Sequence, residues 1–195
     1  MKTKFNLTGI ILIFVLIFFV TIPLASGDDN TVNLGVVAAI SGPSAVYHSD
    51  FDRAVRLAAE ELNNKGGITI EGENYIFSVE TCDYENRSAL AVKCARKLVN
   101  LHETPVILTA SSVAAIPMMK FNEREGFIIM ATSTSPAFVN SGNKLVVRIT
   151  SSFIDYINAT IDAANIFGIT KAAALILPHE IGKRWTTAFM KIWAD

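Results

Sequence analysis

Serine and threonine side chains cluster at three places in the chain, and these clusters are the residues best suited to chemistry. They are residues 41–44 (Ser-Gly-Pro-Ser), residues 111–112 (Ser-Ser) and residues 132–135 (Thr-Ser-Thr-Ser). Hydroxyl groups donate hydrogen bonds to carboxylates, and each bond to a charged group contributes about 1.5–3 kcal/mol. Three or four hydroxyls on one surface could therefore hold a small anion without an arginine. The alternative is that these residues cap helices and form turns, the commonest role of Ser and Thr.

The sequence motifs that mark common enzymes are missing. No Gly-x-Ser-x-Gly or Gly-x-Gly-x-x-Gly pattern occurs, and the segment 35–42 lacks the Lys-Ser/Thr ending of a phosphate-binding loop. His179 is not followed by a histidine at the zinc-binding interval, and His48 and His102 stand alone. We expect all three histidines in loops or on the surface, and we expect no catalysis, no metal site and no cofactor.

The segments around the hydroxyl clusters predict an α/β fold with a doubly wound parallel sheet, because short apolar runs alternate with helical periodicity. If the strand order is 2-1-3-4-5, the clusters follow strands one, three and four and share the carboxyl edge of the sheet. We expect Ser49 to cap the first helix and Gly66-Gly67 to end it. The predicted strands are 32–40, 75–81 (the second arm of a hairpin), 106–109, 127–131 and 144–148, and the predicted helices cover 51–62, 91–99 and 113–121.

After Thr150 the same pattern starts again, with a predicted helix over 153–167, a strand over 172–177 and a helix from Lys183. One strand with two helices cannot form an independent sheet, because its edges and apolar faces lack partners. We therefore expect residues 28–150 to form one lobe and residues 151–195 to form a hinge and the incomplete start of a second α/β lobe.

Residues 1–27 have the composition of an export signal. They contain two lysines, no acidic residue, an apolar run from Ile10 to Leu24, and small residues at Ala25 and Gly27 before a polar start at Asp28. A retained membrane anchor is the alternative, although the run is shorter than the ~20 residues that span a bilayer. Both interpretations place the chain outside the cytoplasm, in the periplasm or on the outer face of the cytoplasmic membrane.

Charge and cysteine content exclude several classes of protein. The 195 residues include 17 basic and 18 acidic side chains, so there is no basic excess for binding nucleic acid. Two cysteines are too few for a disulfide scaffold or a four-thiolate zinc site. In an exported chain Cys82 and Cys94 could pair, or they could stay free, since one is expected at a strand end and the other on a helix.

Five features in order resemble the amino-terminal lobe of type I periplasmic binding proteins, in the leucine/isoleucine/valine-binding family of ABC-transporter receptors. The resemblance spans residues 32–195. The features are the 41–43 turn (Ser-Gly-Pro) with Tyr47, the helix with 58–63 (Ala-Ala-Glu-Glu-Leu-Asn) ending at Gly66-Gly67, residues 95–99 (Ala-Arg-Lys-Leu-Val) before a short strand, Ser111-Ser112, and residues 134–136 (Thr-Ser-Pro).

The resemblance implies two lobes that close on a small ligand and dock on a membrane permease. In the second lobe, Ile181 stands where the family usually presents a tyrosine, so branched-chain amino acids are one candidate class beside other amino acids, amides and small carboxylates. The residues that the resemblance implies at the ligand are Ser111 and the backbone of Thr109 and Ala110 at the carboxylate, Thr132 and Thr134 beside them, Ser112 and Ser133 nearby, and Tyr47 as a cover.

The leading hypothesis is an exported solute-binding protein that captures a small amino-acid-like ligand for an ABC importer. The extracytoplasmic sensor of a signalling receptor is the second hypothesis, and a downstream kinase domain would favour it. A secreted hydrolase is the third, and it would need a nucleophile at Ser111 or Ser112. Since a chain ending at Asp195 lacks most of the second lobe, we expect it to bind ligand weakly or not at all on its own, and micromolar affinity in calorimetry would contradict this.

Overall fold

The computed structural model describes residues 30–176 and 180–194. The predicted export segment, His179 and the last residue of the strand predicted over 172–177 lie outside the described residues. From Thr31 onward the described residues form one compact unit. None of the helices among them is both long and apolar enough to cross a membrane.

The strands of the described residues form a six-stranded sheet in the order β2-β3-β1-β4-β5-β6. β2 pairs antiparallel with β3 as a hairpin, and every other pairing is parallel. Without the hairpin strand β2, this is the predicted order 2-1-3-4-5, and the α/β prediction is confirmed. The strands are β1 (Thr31–Ala38), β2 (Ile68–Ile70), β3 (Glu73–Asp83), β4 (Val106–Thr109), β5 (Ile128–Ala131) and β6 (Val146–Arg148).

Helices cover both faces of the sheet. Successive strand residues point to opposite faces, and Ile107 packs in the main core with Leu98 whereas Leu108 faces Phe51. Leu98 and Phe51 belong to different helices, which explains why the strands are apolar on both sides. The helices are α1 (Ala45–Asn64), α2 (Ser88–His102), α3 (Ser112–Met118), α4 (Asn122–Glu125), α5 (Ala137–Asn140), α6 (Phe153–Ile166) and α7 (Glu180–Ala194).

Two predicted helix boundaries are wrong. Ser49 does not cap α1, because a turn in which the Ala45 amide donates to the Gly42 carbonyl (3.1 Å) starts the helix one turn earlier. The helix predicted over 113–121 ends at Met118, since its last turn tightens to i→i+3 bonds, such as the bond from the Phe121 amide to the Met118 carbonyl.

The end of α1 depends on a close approach of two backbones. Gly66 and Gly67 both have positive φ, of 94° and 82°, as the predicted glycine stop requires. A Cβ atom on Gly67 would lie 2.1 Å from the Tyr75 carbonyl oxygen, whereas one on Gly66 would meet open space. The glycine at 67 therefore lets the chain leave the helix directly against the β2–β3 hairpin.

Cys82 and Cys94 form a disulfide, which resolves the alternative that the sequence leaves open. Cys82 lies near the end of β3 and Cys94 lies in α2, with their Cα atoms 5.5 Å apart. The bond is compatible with the strand-and-helix placement because α2 packs back against the strand that precedes it.

The segment after Thr150 forms α6 and α7, whose contacts build a second apolar cluster around Phe153, Ile157 and Phe189. Ser152 caps α6 in a capping box with Asp155. The strand predicted over 172–177 is absent from the described residues 172–176, since no described strand lies beside them to pair with. The division into lobes near residue 150 stays a prediction.

Candidate functional site

The carboxyl ends of the parallel strands bring two hydroxyl clusters to one edge of the sheet. β4 and β5 are neighbours, and Thr109 lies opposite Ala131 in their register. The residues that follow, 110–112 and 132–135, therefore leave the sheet side by side. In an open α/β sheet ligands bind outside this carboxyl edge, at the point where the strand order reverses. Here that point lies between β1 and β4, so the exit of β4 borders it.

The two clusters are in direct contact. The hydroxyl oxygens of Ser112 and Ser133 are 3.0 Å apart, at hydrogen-bonding distance. Ser111 caps α3, and its hydroxyl oxygen accepts the Val113 amide at 3.1 Å. We call residues 110–112 and 132–134 together the hydroxyl rim.

Thr132 has a side-chain oxygen that is buried and has no hydrogen-bond partner. Its backbone amide donates to the Thr109 carbonyl (3.0 Å) and so continues the sheet by one residue. A buried hydroxyl without a partner costs free energy, and a ligand acceptor at the rim would remove that cost. Thr134 is half-buried, and its carbonyl accepts the amide of Phe153 at 2.9 Å, which ties α6 to the rim.

Thr109 makes its hydrogen bonds within the sheet. Its buried hydroxyl donates to the Val37 carbonyl at 2.8 Å, and its own carbonyl accepts the Thr132 amide. Ala110 follows as a half-buried residue in the connection to α3. The resemblance implies a role for the backbone of both residues, and the Thr109 side chain and carbonyl are already engaged.

Tyr47 and the first hydroxyl cluster are not brought into the rim by any described contact. Tyr47 is 61% exposed on the first turn of α1, and its ring meets His48 at a centroid distance of 5.6 Å. Residues 41–43 are exposed, and among the described residues no side-chain hydrogen bond links the 41–44 cluster to the rim. The structure therefore joins two of the three predicted clusters.

The sequence did not predict that two rings, those of Tyr84 and His48, are buried behind the rim. Tyr84 is fully buried after β3, and its ring meets His48 at 5.8 Å. Burial raises the pKa of the Tyr84 hydroxyl, and a hydrogen bond with the Ser111 side chain partly opposes this. Side-chain contacts therefore run from Tyr47 through the rings of His48 and Tyr84 to Ser111 in the rim.

The expectation that His48 lies on the surface is wrong. His48 is 5% exposed, and its Nδ1 atom has no hydrogen-bond partner. Burial lowers the pKa of the His48 imidazole, and the charge of Asp83 opposes this shift. The burial of His48 could have been predicted from the sequence, because position 48 lies one helical turn before Phe51 and continues the apolar stripe of Phe51 and Val55. Among the described residues, no cluster of three His, Cys, Asp or Glu side chains is arranged to hold a metal ion.

A family model and two curated relatives indicate the same kind of protein. A family model described as periplasmic binding protein matches residues 31–195. A Leu/Ile/Val/Thr-binding protein of Salmonella typhimurium is 31% identical over 128 residues, 65% of this chain and 33% of the relative. The Leu/Ile/Val-binding protein BraC3 of Rhizobium johnstonii is 29% identical over 127 residues, with the same coverage. The chain thus matches about a third of the length of these curated relatives.

Solved structures share the fold. A solute-binding protein of an ABC transporter from Rhodopseudomonas palustris, in complex with 3,4-dihydroxybenzoic acid, superposes with a TM-score of 0.71 at 17% identity, covering 85% of this chain and 44% of that one. A substrate-binding protein from Desulfitobacterium hafniense in complex with Leu gives a TM-score of 0.70 at 18% identity, covering 84% and 47%. At these identities the likeness concerns the fold alone.

Proposed function

Because the chain belongs to the periplasmic binding protein family, we propose that it is an extracytoplasmic solute-binding protein that captures a small organic carboxylate, amino acids included, for an ABC importer. The names of its relatives and the ligands of its structural neighbours support this. Leucine and 3,4-dihydroxybenzoic acid, the ligands named for two neighbours, share a carboxylate on a largely apolar body.

The observation that carries the proposal is the contact between the two clusters of the hydroxyl rim beside the unpartnered Thr132 hydroxyl. A carboxylate placed there accepts the protons of the Ser111 and Thr132 hydroxyls. Ser111 keeps the Val113 amide on an acceptor lone pair of its oxygen, and its single proton turns from Tyr84 to the ligand carboxylate. The rim binds without a cation, through several charge-assisted bonds.

Capture proceeds by closing the site around the ligand. The carboxylate meets the rim first, and the segment after Thr150 then covers it, which removes water and strengthens the hydrogen bonds. The Thr134 carbonyl, which accepts the Phe153 amide, is the described link between the rim and that segment. The loaded protein docks on the permease in the membrane and releases its ligand there.

The proposal is tested by nuclear magnetic resonance on the ¹⁵N-labelled chain, since shifts report binding at millimolar ligand. The probes are L-leucine, L-threonine, 4-methylpentanoate and 4-hydroxybenzoate. We expect at least one of them to shift the amide signals of Ser111–Val113 and Thr132–Thr134. Shifts that occur only outside the rim would contradict the proposal.

A matched pair of variants separates ligand contact from capping. Ser111→Ala is expected to weaken binding by about tenfold or more, since one bond to a charged group is lost. Ser141→Ala is the control, because Ser141 also accepts an amide two residues ahead (Asn143, 3.2 Å) but precedes β6, at the opposite edge of the sheet. Equal losses in the two variants would show that Ser111 acts only as a cap.

A further inference from the structure

The Tyr84 side chain is fully buried just after β3, and the proposed function gives it no role. Its backbone is fixed on both sides, since its amide donates to the Ala38 carbonyl (3.1 Å) and its carbonyl accepts the Arg87 amide (2.8 Å). The His48 ring packs edge-on against the Tyr84 ring, at an interplanar angle of 76°. The phenol is therefore held in place at the carboxyl edge of the sheet, and its hydroxyl proton is the part that can turn.

The Tyr84 hydroxyl makes two hydrogen bonds of unequal quality. It donates its proton to Asn86 Oδ1 at 3.3 Å, and its oxygen accepts the proton of the Ser111 hydroxyl. The bond to Asn86 is long, because hydroxyl donors usually lie about 2.7–2.8 Å from their acceptors. Asn86 is also exposed, so water can take the place of the Tyr84 proton at that amide.

The oxygen of Ser111 has one lone pair left in this arrangement. It accepts the Val113 amide at 3.1 Å, and its proton goes to Tyr84. When a ligand carboxylate takes the Ser111 proton, the Tyr84 oxygen loses its donor. The Tyr84 proton can then turn from Asn86 to the remaining lone pair of Ser111. Both hydroxyls then donate toward the carboxylate, and hydrogen bonds in such a chain strengthen one another.

We propose that Tyr84 is a positioning residue of the ligand site, which accepts the Ser111 proton in the free protein and donates its own proton to Ser111 when Ser111 binds a carboxylate. This inference rests on the proposed function, because Tyr84 acts on the ligand only through Ser111 in the hydroxyl rim. The buried phenol keeps a hydrogen bond with Ser111 in both states. Binding therefore leaves no buried hydroxyl of the pair without a partner.

The first test removes the Tyr84 hydroxyl and keeps the ring. Tyr84→Phe is expected to weaken carboxylate binding about two- to fourfold, the effect of strengthening one bond to a charged group by about 10–30%. Dissociation constants come from titrating L-leucine, L-threonine, 4-methylpentanoate and 4-hydroxybenzoate into the ¹⁵N-labelled chain. Tyr75→Phe is the matched control, because Tyr75 lies near the amino end of β3, at the opposite edge of the sheet, and it should change no constant.

A double-mutant cycle separates action through Ser111 from a general effect on the fold. In Ser111→Ala there is no serine proton for Tyr84 to support. Adding Tyr84→Phe to Ser111→Ala is therefore expected to leave the dissociation constant unchanged. The same fold-loss from Tyr84→Phe in both backgrounds would overturn the inference, since Tyr84 would then act only by holding the structure.

The ¹³Cζ signal of Tyr84 reports the hydrogen bonds of its hydroxyl and does not require Tyr84→Phe to fold. The chain has four tyrosines, so phenylalanine substitutions at Tyr47, Tyr75 and Tyr156 assign the signal by elimination. Without ligand, Ser111→Ala is expected to shift the Tyr84 signal. At saturating ligand the Tyr84 signal is expected to shift in the parent chain and to stay in place in Ser111→Ala.

The outcomes separate this inference from the function on which it rests. A Tyr84 signal that does not respond to Ser111→Ala without ligand overturns the inference, because the two hydroxyls then share no hydrogen bond, while the solute-binding function stands. Ligand shifts confined to amides outside the rim overturn the proposed function, and the role of Tyr84 in binding falls with it, even where the ligand-free signal responds to Ser111→Ala.

Discussion

At the scale of single residues, capping and ligand binding are compatible roles for the same hydroxyl. A serine hydroxyl has one proton to donate and two lone pairs to accept with. Ser111 uses an acceptor lone pair for the Val113 amide, and its proton, which meets Tyr84 without ligand, can turn to a carboxylate. The same serine or threonine hydroxyl can therefore cap a helix as an acceptor and bind a ligand as a donor.

Thr132 and Thr109 differ in what their hydroxyls do, and this yields a prediction. The Thr109 hydroxyl donates to the Val37 carbonyl, whereas the buried Thr132 hydroxyl has no partner. Replacement by valine, which has nearly the same shape, should cost about 1–2 kcal/mol of unfolding free energy in Thr109→Val. In Thr132→Val it should cost nothing or stabilise the fold, while weakening ligand binding.

Urea unfolding of both variants without ligand measures the difference, and the ligand titration above measures the loss of binding. Equal destabilisation by the two substitutions would mean that the Thr132 hydroxyl has a structural partner. Unchanged binding in Thr132→Val would remove that residue from the rim.

At the scale of elements, the boundaries are decided where chain segments meet. α1 ends against the hairpin, α6 begins where the Thr134 carbonyl accepts its first amide, and the disulfide holds α2 to β3. In each case a local signal, such as a glycine pair or a cap serine, coincides with a contact between elements. The predicted strand over 172–177 lacks such a contact, and its described residues 172–176 form no strand.

The glycine pair after α1 gives the second prediction. Gly66→Ala is expected to cost about 1–2 kcal/mol of unfolding free energy, the strain of a side chain at positive φ. Gly67→Ala should cost a further 1–3 kcal/mol, roughly the penalty of overpacking, because its Cβ collides with the Tyr75 carbonyl. The difference between the two variants isolates the collision, since both glycines have similar φ angles.

Urea unfolding of the two variants, monitored by circular dichroism, provides the measurement. If both lose the same free energy, the hairpin moves away from the helix end without penalty, and the close approach does not determine where α1 stops.

At the scale of the whole molecule, we expect stability to depend on pH through the buried His48 imidazole. The pKa of His48 is lowered in the folded chain because the imidazole is buried, so the unfolded chain binds a proton more readily. The free energy of unfolding should therefore be highest above about pH 6.5, the unfolded value. It should fall as the pH drops through the lowered folded pKa.

This third prediction is measured as the change in urea midpoint between pH 7.5 and pH 5.0. His48→Phe keeps a ring between Tyr47 and Tyr84 and should remove most of that change. The interval avoids Asp155, whose pKa is lowered by hydrogen bonds with Ser152 and whose effect on stability appears only below pH 4. A variant that is as sensitive to pH as the parent would assign the effect to other groups.

Local patterns were sufficient to predict the class of the fold, the order of the strands and the edge that carries the hydroxyl rim. Strand identity follows from apolar runs, and the edge follows from topology, because parallel strands all end on the same side. Ser111, Ser112 and residues 132–134 could therefore be placed together from the sequence. The cap of α1, the end of α3 and the burial of His48 could not be placed, since neighbours distant in the chain decide them.

The sequence by itself determined which residues are apolar, where the chain can turn and which hydroxyls leave the sheet at its carboxyl edge. Only the tertiary structure decided that the disulfide forms, that Ser112 and Ser133 touch, and that the Thr132 hydroxyl is left without a partner. The physical reason is the separation along the chain over which each kind of interaction acts. Periodicity and turn chemistry act over a few neighbouring residues, whereas hydrogen bonds join groups that lie far apart in the chain, 72 positions in the case of Thr109 and Val37.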